Sequence, residues 1–438
     1  MKVLIVGSGA REHALAWRLK QSPRLTGLWL ADGNAGTASI ATNLAVNPDD
    51  IDGIVETARS LGIELLVVGP EQPLANGLVD RLSARGVPAF GPTRAASQLE
   101  ASKGFALEVM REAGVPCPEF RVFREQREAL EYLENRSGPV VVKADGLAAG
   151  KGVCLCATSE SAAAAVRACM ADRIFGTAGD TVVIQELLSG PEVSVFAFSD
   201  GQNLSSLAAA CDYKRLKDGD QGPNTGGMGS FTPPDFWSDA LAEEIARTVM
   251  RPVIDTMSRR GAPYKGVLYA GVMLTAAGPK VLEFNCRFGD PETQVVLPQL
   301  ATDPLEVMSA CVDGRLDQVP VSWEDNSYVG VVLASGGYPA TYETGFEISG
   351  LDGEDRNTMI FHAATRQAPD GEPGRLVTSG GRVLTVVGRG ESLAEARARA
   401  YDRVREIRFY GAQYRTDIAA LEQQKGRKWT TGQIAPGG

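Results

Sequence analysis

Residues 1–90 alternate short apolar runs with segments of helical periodicity, and this alternation restricts the fold more than any other feature. The apolar runs are uninterrupted, as in strands buried on both faces, and lie at residues 3–6, 28–31 and 65–68. The helix-like segments lie at residues 11–21, 51–61 and 74–84. Strands that alternate with helices predict a parallel sheet with helices on both faces.

The rest of the chain mixes strands and helices less regularly, so the overall class is α/β and α+β in several domains. A strand at residues 140–143 and another at 153–157 are expected on either side of a glycine-rich loop. The expected domain limits are 1–102 for an N-terminal α/β domain, 103–325 for a central region, 326–425 for a small β-rich C-terminal domain and 426–438 for a polar tail.

Composition excludes several classes of function. The formal charge is −10, whereas proteins that bind nucleic acid or membrane surfaces are in general basic. The start is not a signal sequence and no apolar run could span a bilayer, so we expect a cytoplasmic protein. The sequence has two histidines, His13 and His362, which excludes a metal site built from histidines. Glycine is enriched, with 49 of 438 residues, and its positions mark the candidate sites.

The first glycine-rich segment, residues 7–12, joins the first predicted strand to the first predicted helix. It departs from the dinucleotide pattern Gly-x-Gly-x-x-Gly because Glu12 replaces the third glycine. A helix N-terminus favours a phosphate, so a phosphorylated ligand, a dinucleotide and a structural turn all remain open. The loops at residues 33–37 and 69–71 would meet this segment at the carboxyl edge of the sheet, where ligands bind.

The second segment, residues 143–152, reads Lys-Ala-Asp-Gly-Leu-Ala-Ala-Gly-Lys-Gly. It is not a Walker A loop, because Gly146 and Gly150 are too close and no Ser or Thr follows Lys151. A glycine-rich loop between two strands suits a flap over nucleotide phosphates, with Lys143 projecting from the strand. A surface turn is the alternative.

The third segment, residues 283–294, reads Glu-Phe-Asn-Cys-Arg-Phe-Gly-Asp-Pro-Glu-Thr-Gln. Strand alternation places Glu283, Asn285 and Arg287 on one face. Carboxylate and amide oxygens suit magnesium, and the arginine suits a phosphoryl or carboxyl group. A polar strand face in solvent is the alternative.

The fourth segment is Asp-Tyr-Lys-Arg at residues 212–215, followed by Gly-Pro-Asn-Thr-Gly-Gly-Met-Gly at residues 222–229. The glycines would expose backbone N–H groups in a loop. The adjacent cations again indicate an anionic ligand, and a disordered linker is the alternative.

These segments, in this order, resemble those of the phosphoribosylamine–glycine ligases, a family of ATP-grasp enzymes. Gly-x-Gly-x-Arg-Glu-His at the start and Ser-Gly-Gly-Arg-Val at residues 379–383 extend the resemblance, which covers roughly residues 1–420. It implies a parallel-sheet N-terminal domain, ATP-grasp central domains with a flap subdomain at about residues 120–190, and a small C-terminal β-rich domain.

The resemblance implies an ATP-dependent ligation in purine biosynthesis. ATP would phosphorylate the glycine carboxylate, and the amine of 5-phosphoribosylamine would attack the glycyl phosphate to give glycinamide ribonucleotide, ADP and phosphate. The implied cofactors are ATP as co-substrate and Mg²⁺ or Mn²⁺. The implied partners are glycine and 5-phosphoribosylamine, with no nucleic acid, no membrane and a monomer or weak homodimer.

The resemblance also assigns residue roles. The expected catalytic residues are Arg287, Asp212 and Lys214, with Arg287 on the glycyl carboxylate or acyl phosphate. The expected nucleotide-binding residues are Lys103, Lys143, Gly146, Gly150, Lys151, Gly152, Glu186, Leu188 and Glu192. The expected substrate-binding residues are Gly9, Arg11, Glu12, Asn34, Gly36, Thr37, Glu71, Arg215, Asn224, Thr225 and Gly226. The expected metal ligands are Glu283 and Asn285.

Two positions depart from the family pattern. Tyr213 stands where the family has a histidine, so no role is carried over for that side chain. Many ATP-grasp enzymes have a second metal-binding glutamate one strand before Glu283, where this chain has Tyr269, Ala270 and Gly271. The metals are therefore expected to depend on Glu283, Asn285 and the phosphates.

Three other functions are compatible with parts of the pattern. A carboxylating ATP-grasp enzyme would use bicarbonate in place of glycine. A nicotinamide-dependent oxidoreductase would use the first domain, and Glu12 argues against it. A nucleotide sensor would need the flap and metal residues without turnover.

Overall fold

The computed structural model describes residues 1–148, 151–353, 355–369 and 374–420. The first domain confirms the predicted parallel sheet, with strand order β3-β2-β1-β4-β5 and every neighbouring pair parallel. Its elements are β1 (Lys2–Gly7), α1 (Ala10–Leu19), β2 (Gly27–Asp32), β3 (Thr42–Leu44), α2 (Ile51–Leu61), β4 (Leu65–Val68), α3 (Glu71–Ala75), α4 (Leu78–Ser83) and β5 (Ala89–Phe90). The loops after β1, β2 and β4 therefore meet at one edge.

Burial explains why residues 3–6 form the central strand. Their side chains are fully buried, because helices cover both faces of the sheet. The helix expected at residues 74–84 is in fact interrupted between α3 and α4. Gly77 takes a left-handed conformation there, with a φ of 83°, which ends one helix before the next begins.

A four-stranded antiparallel sheet in the order β6-β9-β7-β8 follows. The elements of this part are α5 (Gln98–Ala101), α6 (Lys103–Ala113), β6 (Phe120–Phe123), α7 (Gln126–Glu134), β7 (Val140–Ala144), β8 (Val153–Cys156), α8 (Ser159–Met170) and β9 (Val182–Glu186). Leu133 of α7 and Val166 of α8 pack with Val142 in a separate small core. The sheet lies within the residues for which the flap subdomain is expected.

An antiparallel sheet of eight strands forms the largest layer. In spatial order its strands are residues 278–285, 265–275, 192–200, 208–212, 229–232, 327–334, 382–390 and 358–362. Its first elements and their neighbours are β10 (Glu192–Asp200), β11 (Ala208–Asp212), β12 (Arg215–Lys217), β13 (Gln221–Asn224), β14 (Gly229–Thr232), α9 (Asp239–Ile245), α10 (Arg251–Arg259), β15 (Lys265–Thr275), β16 (Gly278–Asn285), α11 (Thr293–Gln299) and α12 (Pro304–Asp313). A π-helical turn, Ala246–Met250, joins α9 to α10.

The C-terminal part adds β17 (Ser327–Ala334), β18 (Glu347–Ile348), β19 (Thr358–His362), β20 (Thr365–Gln367), β21 (Leu376–Thr378), β22 (Arg382–Gly390) and α13 (Leu393–Val404). Strands β18, β21 and β20 form a small sheet of their own. β14 and β17 are antiparallel neighbours, so the large sheet continues across the expected limit at residue 325. The domain limits stay a prediction.

Residues 222–229, expected as a loop, are partly strand. β12 and β13 pair as a two-stranded ribbon, and Gly229 opens β14. The buried Arg415 side chain supports the ribbon by donating to the carbonyl oxygen of Arg215 at 3.0 Å and to Asp220 at 2.9 Å. This segment is therefore an ordered part of the fold rather than a linker.

The C-terminal part packs against the first domain through the two histidines. His13 Nδ1 accepts a hydrogen bond from the His362 backbone N–H at 2.8 Å. Asn34 Nδ2 donates to the carbonyl oxygens of Ser8 and His362, each at 2.8 Å. These contacts hold the first-domain loops against β19. Among the described helices, none has the length and apolar character needed to cross a bilayer.

Mild acid is expected to destabilise the chain through His13. Burial, reinforced by His362, lowers the pKa of His13 from 6.5 to about 3. As the pH falls below 6.5, the unfolded chain binds a proton that the folded chain does not. Between pH 6.5 and about 3, each fall of one pH unit therefore lowers the free energy of unfolding by about 1.4 kcal/mol through this group.

The variant His13→Gln keeps an acceptor for the His362 N–H but does not titrate. Urea unfolding at pH of about 6.5 and about 4.5 should show a larger loss of stability for the wild type than for the variant. Equal losses would contradict the assignment of this pH dependence to His13.

Candidate active site

Charged side chains line the cleft between the four-stranded and the eight-stranded sheet. They are Lys103 at the start of α6, Lys143 on β7, Glu192 on β10, Lys214 after β11 and Glu283 on β16. Burial lowers the pKa of Lys143. The carboxylates of Glu283 and Glu192 oppose this shift, whereas the positive charges of Lys103 and Lys214 add to it. The structure thus brings these predicted residues together, and the concentrated positive charge suits a polyphosphate.

Two lysine contacts connect the elements around the cleft. Lys143 is 6 % exposed, and its Nζ donates to the carbonyl oxygen of Leu282 on β16 at 3.1 Å. Lys103 Nζ donates to the carbonyl oxygen of Gly146 at 3.2 Å. The Lys103 hydrogen bond therefore joins the start of the glycine-rich loop to α6. The Lys143 hydrogen bond joins the four-stranded sheet to the eight-stranded sheet.

The predicted phosphate loop is described in part. Gly150 lies outside the described residues. The Gly146 N–H donates to Ala178 at 3.1 Å, and a Cβ on Gly146 would lie 2.8 Å from that residue. Gly152 is buried and Lys151 is exposed. The close approach at Gly146 explains why this position needs glycine.

Glu186 and Leu188 lie where β9 leads into β10, so they connect the two sheets that enclose the cleft. The Glu186 carboxylate pairs with Lys280 Nζ at 3.3 Å, and its backbone N–H donates to Glu119 at 2.9 Å. The role of this hinge in adenine recognition stays a prediction.

Glu283 and Asn285 lie on one face of β16, as strand alternation predicts, whereas Arg287 lies beyond the strand, which ends at Asn285. Burial alone would raise the pKa of Glu283, but the surrounding cations, Lys214 and Lys143 foremost, lower it. The Glu283 carboxylate accepts no hydrogen bond within the described ranges, so its oxygens can bind a cation. On β15 the residue paired with Glu283 is Gly271, which supplies no second carboxylate.

These donors fit magnesium, which binds through one or two protein oxygens and completes its shell with water and phosphate oxygens. In the part of the chain that the structure describes, no group of three or more His, Cys, Asp or Glu side chains could hold a metal ion. A metal held by Glu283 and Asn285 would need further oxygen ligands, which water and nucleotide phosphates can supply.

Arg287 is held by carboxylates of the first domain and α5. Its guanidinium lies 3.1 Å from Glu71 and 2.9 Å from Glu100. Burial opposes the charge of Arg287, but these carboxylates raise its pKa well above the usual range. Burial alone would likewise raise the pKa of Glu71, but Arg287 and Arg11 lower it to about 2. Arg287 and Glu71, which the resemblance assigns to different substrates, are therefore in contact.

Asp212 and Lys214 lie together among buried carboxylates. Burial raises the pKa of Asp212 to about 7, against the effect of Lys214 and with the support of Glu292 and Glu192. Lys214 forms an ion pair with Glu192. Asp212 can therefore gain or lose a proton near neutral pH, as an acid–base group requires.

Glu292 is a site residue that the sequence interpretation missed. It is 4 % exposed, and its Oε1 accepts hydrogen bonds from Tyr269 at 2.9 Å and Ser194 at 3.2 Å. A Cβ on Gly289 would lie 2.6 Å from its Oε2. The sequence signal for Glu292 was the Asp-Pro-Glu part of the third segment. That part lies beyond the strand, where strand alternation does not predict the direction of a side chain. Tyr269 and Ser194 carry no recognisable signal.

The Tyr213 side chain packs against the C-terminal segment. Its hydroxyl accepts a hydrogen bond from the Ala419 N–H at 3.0 Å, and the Arg415 guanidinium lies 4.6 Å from its ring centre. The side chain at this position therefore contributes to the packing of the C-terminal segment.

Glu12 caps its own helix. Its carboxylate accepts hydrogen bonds from the Gly9 N–H at 2.8 Å and from Arg11 Nε at 2.7 Å. A Cβ on Gly69 would lie 2.1 Å from Glu12 Oε1, so that glycine makes room for the carboxylate. The carboxylate fills the helix N-terminus at which a dinucleotide phosphate would bind.

Asn34 and Thr37 maintain the loop after β2. Asn34 Oδ1 accepts hydrogen bonds from the Gly36 N–H at 2.9 Å and the Thr37 N–H at 3.0 Å. Thr37 is fully buried, and its hydroxyl donates to the Asn34 carbonyl oxygen at 2.9 Å. Both side chains thus shape the loop, and a direct role in substrate binding stays a prediction.

The remaining predicted substrate residues lie on or next to the ribbon: Arg215, Asn224, Thr225 and Gly226. Arg215 and Asn224 are opposite each other in the register. The Thr225 hydroxyl donates to the Lys214 carbonyl oxygen at 2.9 Å. The ribbon is thereby attached to one of the cleft lysines.

Two sheets that enclose a lysine-rich cleft, with a glycine loop from one sheet and oxygen ligands from the other, define an ATP-grasp protein. Three family models of phosphoribosylglycinamide synthetase match the chain: the N domain at residues 1–100, the ATP-grasp (A) domain at 101–293 and the C domain at 328–421. The chain belongs to the phosphoribosylglycinamide synthetase family.

Relatives and solved structures agree with this family. A phosphoribosylamine–glycine ligase of Rhodopirellula baltica is 48 % identical over 95 % of this chain and 97 % of the relative. The crystal structure of phosphoribosylamine–glycine ligase from Thermotoga maritima aligns with a TM-score of 0.82 and 34 % identity, over 95 % of this chain and 100 % of that one.

A more distant structure shows the fold alone. The biotin carboxylase domain of 2-oxoglutarate carboxylase from Hydrogenobacter thermophilus, solved with MgADP and bicarbonate, aligns with a TM-score of 0.72 and 15 % identity. The alignment covers 94 % of this chain and 91 % of that one.

Adjacent substitutions should separate the roles of Tyr213 and Lys214, which lie between β11 and β12. Tyr213→Phe removes the hydrogen bond to Ala419 and should lower the free energy of unfolding by about 1 kcal/mol, with activity within about twofold of wild type. Lys214→Gln should abolish most activity and change stability less. Unfolding curves and turnover measured on both variants check this. A large loss of activity in Tyr213→Phe at full folding would contradict the packing role of Tyr213.

Proposed function

We infer that the chain joins glycine to 5-phosphoribosylamine at the expense of ATP, giving glycinamide ribonucleotide, ADP and phosphate, as a step of purine biosynthesis. The observation that carries this inference is the clustering of Lys103, Lys143 and Lys214 opposite Glu283, beside the ligand edge of the first domain. Membership of the family and the similarity to phosphoribosylamine–glycine ligases support the same reaction.

The first step transfers the γ-phosphoryl group of ATP to a carboxylate oxygen of glycine, and the bond between the γ-phosphorus and the ADP oxygen breaks. The chain contributes position and charge rather than a nucleophile. Lys103 and Lys143 neutralise the phosphate oxygens, while Arg287 orients the glycine carboxylate. Glu186, Leu188 and Glu192 hold the adenosine.

In the second step, the amine nitrogen of 5-phosphoribosylamine attacks the carbonyl carbon of glycyl phosphate. The bond from that carbon to the phosphate oxygen breaks, phosphate leaves, and the nitrogen loses a proton. Asp212, whose pKa burial raises to about 7, accepts this proton. Glu71 and the first-domain loops bind the ribosyl part, together with Arg215 of the ribbon.

Mg²⁺ or Mn²⁺, held by Glu283 and Asn285, would neutralise phosphate charge in this site. The proposed setting is the cytoplasm, where the substrates are free small molecules, and the proposed state is a monomer or weak homodimer.

Phosphate release by the purified chain tests the proposed function. We expect release from ATP when glycine and 5-phosphoribosylamine are both present, and little with either alone. Bicarbonate should not replace glycine. Release that depends on bicarbonate would support a carboxylating enzyme, and ATP binding without any release would support a sensor.

Glu283→Gln should lose most activity and remain folded, because the amide keeps the shape of the side chain but not its charge. Glu347→Gln, which removes a carboxylate paired with Arg375 far along the chain, is the matched control. Turnover at a series of Mg²⁺ concentrations measures the effect. Full turnover of Glu283→Gln at low Mg²⁺ would refute its assignment as a metal ligand.

A further inference from the structure

Residues 379–383 contribute to the family resemblance, yet no step proposed above uses them. Arg382 opens β22, and its side chain reaches toward the turn that carries Gly226 and Gly227. Its Nη1 donates to the Gly226 carbonyl oxygen at 2.6 Å and to the Asp290 carbonyl oxygen at 3.1 Å. Its Nη2 lies 3.2 Å from Asp290 Oδ2. One guanidinium from the C-terminal part thus holds two segments of the central region.

The turn beneath this guanidinium is closely packed. A Cβ on Gly226 would lie 3.1 Å from Arg382 Cζ. Gly227 has a φ of 106°, and a Cβ there would lie 2.3 Å from Pro291 Cδ. The two glycines allow the turn to sit between Arg382 and the segment that begins at Asp290. The position of the turn therefore depends on that of the guanidinium.

Asp290 connects this contact to the ligand edge of the first domain. Its Oδ1 accepts a hydrogen bond from Gln294 Nε2 at 2.8 Å, while its Oδ2 faces Arg382. The same Oδ2 lies 3.7 Å from the position of a Cβ on Gly9. The side chain is 18 % exposed, so it borders the cleft beside the loop after β1.

We propose that Arg382 is a positioning residue for the phosphoribosylamine side of the site, where it fixes the turn at Gly226 and Gly227 and the carboxylate of Asp290. The proposal rests on the function inferred above. Asp290 adjoins Gly9 of the first domain, whereas the ATP phosphates belong with Lys103 and Lys143 on α6 and β7. Loss of the guanidinium should therefore impair phosphoribosylamine binding and spare ATP binding.

Steady-state kinetics of Arg382→Ala test this proposal, with Arg389→Ala as the matched control. Arg389 lies on the same strand and pairs with Glu324 at 3.0 Å, without a described contact to Gly226 or Asp290. We expect Arg382→Ala to raise the KM for 5-phosphoribosylamine by about tenfold or more, with the KM for ATP within about twofold of wild type. Arg389→Ala should leave both values unchanged.

If Arg382→Ala does not fold, the same kinetic measurement is made on Arg382→Gln, which keeps hydrogen-bond donors but not the charged guanidinium. The proposal is overturned if the Arg382 variant has the kinetics of Arg389→Ala, or if its KM values for all three substrates rise together. A wild-type chain that releases no phosphate with both substrates overturns the proposed function, and this inference with it.

Discussion

The ion pairs of Arg287 with Glu71 and Glu100 are the interaction on which the site depends. A buried guanidinium that loses its carboxylates costs several kcal/mol, so Arg287, just beyond the end of β16, keeps its position only while α3 and α5 supply both partners. Glu100 also accepts a hydrogen bond from the Cys286 N–H at 2.7 Å, which fixes the backbone between Asn285 and Arg287 just after β16. The ligand edge of the first domain is thereby held against the metal and phosphate side of the cleft.

The parts of the molecule governed by short-range periodicity could be predicted from the sequence. Residues 3–6 form an uninterrupted apolar run because the strand is buried on both faces. That run predicted a strand, and it is the central strand of the parallel sheet. Strand alternation placed Glu283 and Asn285 on one face, and β16 presents them so. Lys143 was found because it stands in a recognisable segment, whereas Lys103 was carried over from the family resemblance, and the two lysines lie together in the cleft.

The parts governed by long-range contacts could not be predicted. The glycine-rich segment around Glu12 predicted a ligand-binding residue, but its carboxylate caps helix α1 by accepting a hydrogen bond from the Gly9 N–H. Tyr213 lies in a motif, yet its partners come from the far C-terminal segment. Glu292 joins the site through hydrogen bonds from two separate strands. For Tyr213 and Glu292 the partners are remote in sequence, so neither spacing nor composition reveals them.

The fate of the glycine oxygens tests the central claim, that the cleft activates glycine as an acyl phosphate. With ¹⁸O in the glycine carboxylate, attack of the amine breaks the bond from the carbonyl carbon to the bridging oxygen, and that oxygen leaves with the phosphate. Mass spectrometry should find labelled phosphate in proportion to the glycinamide ribonucleotide formed. Unlabelled phosphate alongside that product would contradict the account.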